Sequence, residues 1–128
     1  HNQIKTLKDP TAHAEIIAIT QAANFLQNER LTDCVMYSTL EPCSMCAGAM
    51  VLSRIESLIY AANDPKTGAH KSVFKILSGK KLNHSVKVKT GILERESSSL
   101  LKEFFKIKRK KLPCHLSKPH SIISKAYE

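Results

Sequence analysis

Pro42-Cys43-Ser44-Met45-Cys46, with His13-Ala14-Glu15 some thirty residues before it, decides how this chain is read. Together the two segments offer two thiols, one imidazole and one carboxylate that need not be a ligand. A structural zinc site fills all four positions with protein, whereas a catalytic one keeps a position for water. Three ligands beside a spare carboxylate therefore suit zinc-activated hydrolysis. The competing reading is a structural zinc with Glu15 as a fourth ligand or a surface acid. A Cys-x-x-Cys pair alone would leave that open; the added His-x-Glu and the proline before the first cysteine weigh against it.

The flanking residues read as alternating strands and helices. Asp9-Pro10 is a turn, Asp9 or Thr11 is a candidate cap, and Thr11–Leu26 is expected to be a well-buried helix with Ile16, Ile17, Ile19, Ala23, Phe25 and Leu26 as its apolar side. Cys34–Leu40 reads as a strand. Pro42 is expected to open the next helix, to about Ser53, since proline at a first helical position costs no hydrogen bond. Ser57–Ala61 is a second apolar strand, and Asn63–Gly68 a loop by composition. Val73–Leu77 is a short helix or turn, and Val86-Lys87-Val88-Lys89 alternates as a third strand. Glu94–Lys111 is a long helix, with Leu100, Leu101, Phe104, Phe105 and Ile107 expected inside and lysines outside. Strands separated by helices imply an α/β sandwich with a largely parallel sheet.

The chain has 128 residues, enough for one domain with a core and too few for two. It contains no apolar run of transmembrane length and no signal-peptide core. Two of its four cysteines are spaced for metal, so a reducing cytoplasm is expected rather than a disulfide framework. Cys34 reads as a small buried hydrophobe, Cys114 as a free thiol, and His84 as a structural residue of a turn. His70, His115 and His120 have no visible partners and default to the surface. The net charge is +9, and Lys102–Glu128 holds eight Lys/Arg against two acids, or +6 of that total. A basic segment can be a solvated helix face; beside an enzyme motif it points to a phosphate-rich partner, RNA in particular.

Cys43 and Cys46 are three apart at a helix start, so they share a face, and the free N–H groups there favour thiolate. His13 and Glu15 diverge in direction on a regular helix, so an ion that both reach must lie near the helix end. Two helix N-termini facing one dication repel it, and the thiolates offset that repulsion. Glu15 is then placed to shuttle protons.

Asp9–Ile16 and Thr39–Met50 resemble the bacterial tRNA-specific adenosine deaminases, of the cytidine deaminase-like superfamily. Ser53-Arg54-Ile55, Asn63–Gly68, Leu82-Asn83-His84, Gly91-Ile92-Leu93 and Leu101–Phe105 extend the likeness in order. The resemblance implies a three-layer α/β/α sandwich that lacks here the family's N-terminal helix and first strands. It implies a truncated deaminase domain over 1–112; the stretch 113–128, rich in Ser, Lys and Pro, departs from the family and is expected to be a basic, flexible tail. The resemblance implies one zinc ion per subunit on His13, Cys43 and Cys46, with Glu15 as the catalytic proton shuttle. The expected reaction is hydrolytic conversion of adenosine to inosine at the wobble position of a tRNA anticodon, with an arginine tRNA as the expected substrate. Asn2 matches the family's base-binding asparagine, at the end of its second strand. Asp64 matches a loop aspartate near the ribose, Lys66 a backbone contact, and Phe105 a position near the splayed anticodon bases; Phe104 is expected to be core packing. The Lys106–Lys111 cluster would hold phosphates. The resemblance also implies a homodimer binding the anticodon stem-loop, for which the small residues Ala47, Gly48 and Ala49 permit close packing or face their own sheet.

Two alternatives stand beside this reading. The same chemistry could act on a free nucleobase, guanine or cytosine, although a small base needs no lysine cluster. A non-catalytic RNA-binding module with zinc would leave Glu15 without a role.

Overall fold

A computed structural model describes residues 1–110. Its elements in chain order are α1 (Ile4–Leu7), α2 (Ala14–Leu26), β1 (Val35–Leu40), α3 (Ser44–Leu52), β2 (Ser57–Ala62), β3 (Lys87–Thr90) and α4 (Glu94–Lys110). Lys111 and everything from Cys114 to Glu128, with the expected tail, lie outside the described residues.

The three strands form one sheet in the order β1-β2-β3, and both pairings are parallel. Parallel neighbours require a crossover, and α3 supplies the one between β1 and β2. The register sets Met36 beside Leu58 and Ser38 beside Tyr60, so Met36, Ser38, Leu58, Tyr60 and Val88 share one face. That face meets α2 and α3. Leu58, Tyr60, Met50, Cys46, Ala47, Ile55 and Leu31 make the buried cluster, with Ile16, Ile19, Ala22 and Ala23 of α2 packed on it. Burying a side chain such as Leu58 contributes about 1.5–3 kcal/mol. Helix α4 lies over the opposite face, beside Tyr37, Ile59 and Ala61. The fold is thus the expected three-layer α/β/α sandwich.

The elements differ from expectation in instructive places. Helix α2 starts at Ala14, with His13 as its N-cap and no side-chain cap. Asp9 is spent instead on its own turn, accepting from the N–H and hydroxyl of Thr11 at 2.8 and 2.7 Å. Pro42 does not open α3: Cys43 is the N-cap, with extended backbone at φ −71° and ψ 173°. Val73–Leu77, expected as a short helix or turn, is turn and irregular backbone.

The apolar sides of α2 and α4 are the larger correction. Neither helix contains a buried residue. Phe25 is 87 % exposed and Leu100 is 69 %, while Phe104, Phe105 and Ile107 are half-exposed. Leu101 alone of the five expected inside α4 is partly covered. On α2, Ile16, Ile19 and Ala23 do face the core and only Phe25 and Leu26 near its end stand clear, whereas on α4 Leu100, Phe104, Phe105 and Ile107 stay about half exposed or more.

Candidate active site

His13 and Cys43 occupy equivalent positions, each the N-cap of its helix with extended backbone, and neither side chain caps its own helix. Both side chains are therefore free to meet beyond the two helix ends. Cys46 follows in the first turn of α3 and is fully buried. The Nδ1 of His13 lies 3.6 Å from the Sγ of Cys43 and 3.6 Å from that of Cys46. All three ligand atoms fall within 4.8 Å of one another.

These separations can be tested against a metal. Zinc–sulfur and zinc–nitrogen bonds of their usual lengths, held at a tetrahedral angle, separate N from S by roughly 3.6 Å. The observed spacing matches, and two sulfurs with an imidazole suit zinc among the common divalent ions. Burial, followed by the charges of Glu15 and Cys43, pushes the Cys46 thiol well up from its ordinary value. A bound cation would supply the opposite sign, since a coordinated thiol is deprotonated outright.

Glu15 stands beside the ligands without joining them. Its Oε2 accepts from the Cys46 thiol at 3.7 Å, and its Oε1 accepts from the Ser38 hydroxyl at 3.3 Å. Ser38 donates more closely to the Leu40 carbonyl, at 2.8 Å. Its contact with Glu15 was not foreseen, because nothing local marks one strand hydroxyl over the next.

Asp64, Lys66 and Phe105 border one groove of about 630 Å³, together with Leu101, Lys102 and Arg109. Leu40 and Ala62, the last residues of β1 and β2, also line it. Ligands of open α/β sheets bind outside those carboxyl ends. The Asp64 carboxylate is engaged within its own loop, accepting from Lys66 N–H at 2.9 Å and from the Thr67 hydroxyl at 2.7 Å. Phe104 is not core packing: it meets Phe105 edge-on at 5.5 Å, and the Lys108 ammonium lies 4.8 Å from its ring centre. Asn2 is exposed in an irregular segment, not at a strand end, and accepts from Ile4 N–H at 3.0 Å.

Three further residues extend the account. His70 is not a surface residue: it is half-buried, 2.9 Å from the Tyr60 hydroxyl, and burial lowers its pKa. His84 is structural as expected, its Nε2 meeting the Ile55 carbonyl at 2.8 Å. Glu41, inside the quoted motif but given no role there, is only 2 % exposed. Burial alone would raise its pKa, yet hydrogen bonds from Ser72, Lys71 and Asp64 together bring it down to about 2.

Comparison with known proteins agrees with this geometry. A family model described as MafB19-like deaminase matches residues 1–109. A tRNA-specific adenosine deaminase of Aquifex aeolicus is 54 % identical over 106 residues, covering 83 % of this chain and 70 % of that protein. A structure solved in studies of A-to-I editing by tRNA:A34 deaminases at the wobble position superposes with a TM-score of 0.74 at 43 % identity, covering 77 % of this chain and 72 % of that one. A guanine deaminase from Nitrosomonas europaea superposes with a TM-score of 0.70 at 26 % identity, covering 81 % of this chain and 62 % of that one.

Proposed function

Given that the chain belongs to the tRNA-specific adenosine deaminases within the MafB19-like deaminase family, we propose that it performs hydrolytic deamination of adenosine to inosine at the wobble position of a tRNA anticodon, an arginine tRNA by preference. The observation that carries this reading is the convergence of the His13 Nδ1 on both thiols, 3.6 Å from each, with the Glu15 carboxylate alongside.

His13, Cys43 and Cys46 would hold one zinc ion, which supplies a Lewis acid that makes water a competent nucleophile near neutral pH. Glu15 accepts a proton from the attacking water and gives it to a ring nitrogen of the adenine as oxygen adds to C6. It then takes the proton of the new C6 hydroxyl and gives it to the amino nitrogen; the C6–N bond breaks, ammonia leaves, and the oxygen remains as the C6 carbonyl of inosine. The Ser38 hydroxyl lies beside the carboxylate that makes both transfers. Asn2 hydrogen-bonds the base, Asp64 lies near the ribose, Lys66 meets the backbone, and Phe105 receives a splayed anticodon base. Lys106, Lys108, Arg109 and Lys110 at the end of α4 contact phosphates. The enzyme acts as a homodimer in the cytoplasm, where tRNA is found; no helix among the described residues is long and apolar enough to cross a membrane.

The guanine deaminase likeness gives the free-base reading a concrete form, and the two separate on substrate. The full-length, zinc-loaded protein is offered an arginine-tRNA anticodon stem-loop in parallel with free adenine, guanine, cytosine and their nucleosides. Inosine and ammonia from the stem-loop alone support RNA editing. Turnover of a free base, with none of RNA, moves the enzyme to nucleobase metabolism.

A further inference from the structure

Glu41 stands between the last residue of β1 and Pro42, and its backbone N–H donates to Ala62 at 2.8 Å, continuing the pairing with β2. A carboxylate this deeply buried is costly unless fully hydrogen-bonded. No ion pair forms with it among the described residues. Its partners are backbone amides instead. Oε1 accepts from the N–H groups of His70, Lys71 and Ser72 at 3.0, 2.9 and 3.1 Å. Oε2 accepts from Asp64 N–H at 3.0 Å and from the Ser72 hydroxyl.

The two oxygens therefore hold opposite ends of one loop. Asp64 begins it, His70–Ser72 end it, and the tip between carries Pro65, Lys66 and Thr67 into the groove beside Phe105. The same segment is joined to the metal ligands through the backbone: Ala69 N–H donates to Pro42 at 2.8 Å, and Cys43 bridges to Gly68. Gly68 leaves the space this needs, since a Cβ there would run into the Glu41 carboxylate and lie 2.6 Å from the Asp64 carbonyl.

We propose that Glu41 is a positioning residue, holding the Asp64–Ser72 loop and its RNA-facing tip at a fixed separation from the Cys43 thiol. The inference rests on the RNA-deaminase reading above. A purely architectural latch would affect stability alone; a positioning residue affects how well substrate is held.

Glu41→Gln separates the two. An amide at this site has one acceptor, and its NH₂ faces the Asp64 N–H, donor against donor. In the full-length, zinc-loaded protein the Asp64 amide is expected to lose hydrogen-exchange protection while zinc content stays at one per chain. The KM for the anticodon stem-loop is expected to rise about tenfold, the scale of one lost buried hydrogen bond, with kcat changed far less. Ser72→Ala removes one donor and no acceptor, so it keeps the test open if the first variant does not fold; a smaller KM rise is expected, roughly threefold. An unchanged KM in Ser72→Ala and in any folded Glu41→Gln, with a lowered melting temperature only, overturns the proposal. Loss of zinc from either folded variant also overturns it, because the carboxylate would then serve the ligands rather than the loop. If the unmodified protein does not turn over the stem-loop, the underlying reading fails, and the proposal with it.

Discussion

The Sγ of Cys46 lies 3.7 Å from the Oε2 of Glu15, though the two residues are thirty-one apart in sequence. The carboxylate reaches the edge of the three-ligand cluster from the first turn of α2, while His13, two residues earlier, contributes a ligand atom. Divergence of side chains two apart at a helix start sets His13 among the candidate ligand atoms and leaves the Glu15 carboxylate beside them. The Ser38 hydroxyl on β1 stands 3.3 Å from the other carboxylate oxygen, with the Leu40 carbonyl as its closer acceptor.

Removing that carboxylate separates chemistry from binding. Glu15→Ala is expected to keep one zinc per chain and its affinity for the stem-loop, and to lose ammonia release by about 100-fold or more, the usual scale of a positioned acid–base group. Metal content, RNA titration and ammonia assay on the same preparation check this. Near-normal turnover would return Glu15 to a surface acid and leave the zinc a structural role.

Metal binding should appear as stability as well as activity. A ligand held only by the folded state stabilises it by about 4 kcal/mol at a free concentration a thousandfold above its Kd. Stripping zinc with a chelator is expected to lower the melting temperature by roughly 10 °C or more, and adding zinc to restore it. Cys46→Ser should melt low under both conditions. A melting temperature indifferent to zinc in the unmodified protein would show that the cluster holds no metal tightly.

The elements nearest the site were the most legible. β1, α3 and β2 each combine a continuous apolar pattern with a marked boundary, and all lie within a residue or two of where the sequence puts them. The candidate ligand pair could be read because Cys-x-x-Cys needs only one helical turn to bring two thiols together. Glu41 could not, although its place invited suspicion: an acid following an apolar strand must be either exposed or paired. Its partners are amides twenty-three to thirty-one residues later, and backbone donors leave no trace in side-chain pattern. His70 was misread because its partner, the Tyr60 hydroxyl, lies ten residues back across a loop. The helices failed differently. Spacing tells which residues of α4 share a side, but whether Leu100 and Phe104 are buried depends on what else covers them.

Salt dependence tests the end of α4. Lys106, Lys108, Arg109 and Lys110 lie in its last two turns, and Lys111 follows in sequence. Each cation that neutralises a phosphate of a single-stranded segment contributes roughly 0.7 to the slope of log K against log salt. Replacing all five by Gln should weaken stem-loop binding and flatten that slope by roughly 2–3 if most of them touch RNA. Titrations at several salt concentrations give the slope directly. An unaltered slope would make the cluster a solvated face and strengthen the free-base alternative.

The pairing of His70 with Tyr60 has a consequence below neutral pH. Burial lowers the His70 pKa from its ordinary 6.5; the Glu41 charge opposes this and that of Lys71 adds to it. A base whose folded pKa is depressed must lose a favourable environment to take up a proton. Its contribution to stability is therefore complete above 6.5 and is lost as pH falls through the folded value. The melting temperature is expected to be flat from about pH 8 to 7 and to decline below about 6.5. His70→Gln keeps an acceptor for the Tyr60 hydroxyl but cannot take a charge, so its decline should be shallower over the same interval. Equal slopes in the two proteins would show that other groups govern the acid side, with the Tyr60–His70 contact indifferent to protonation.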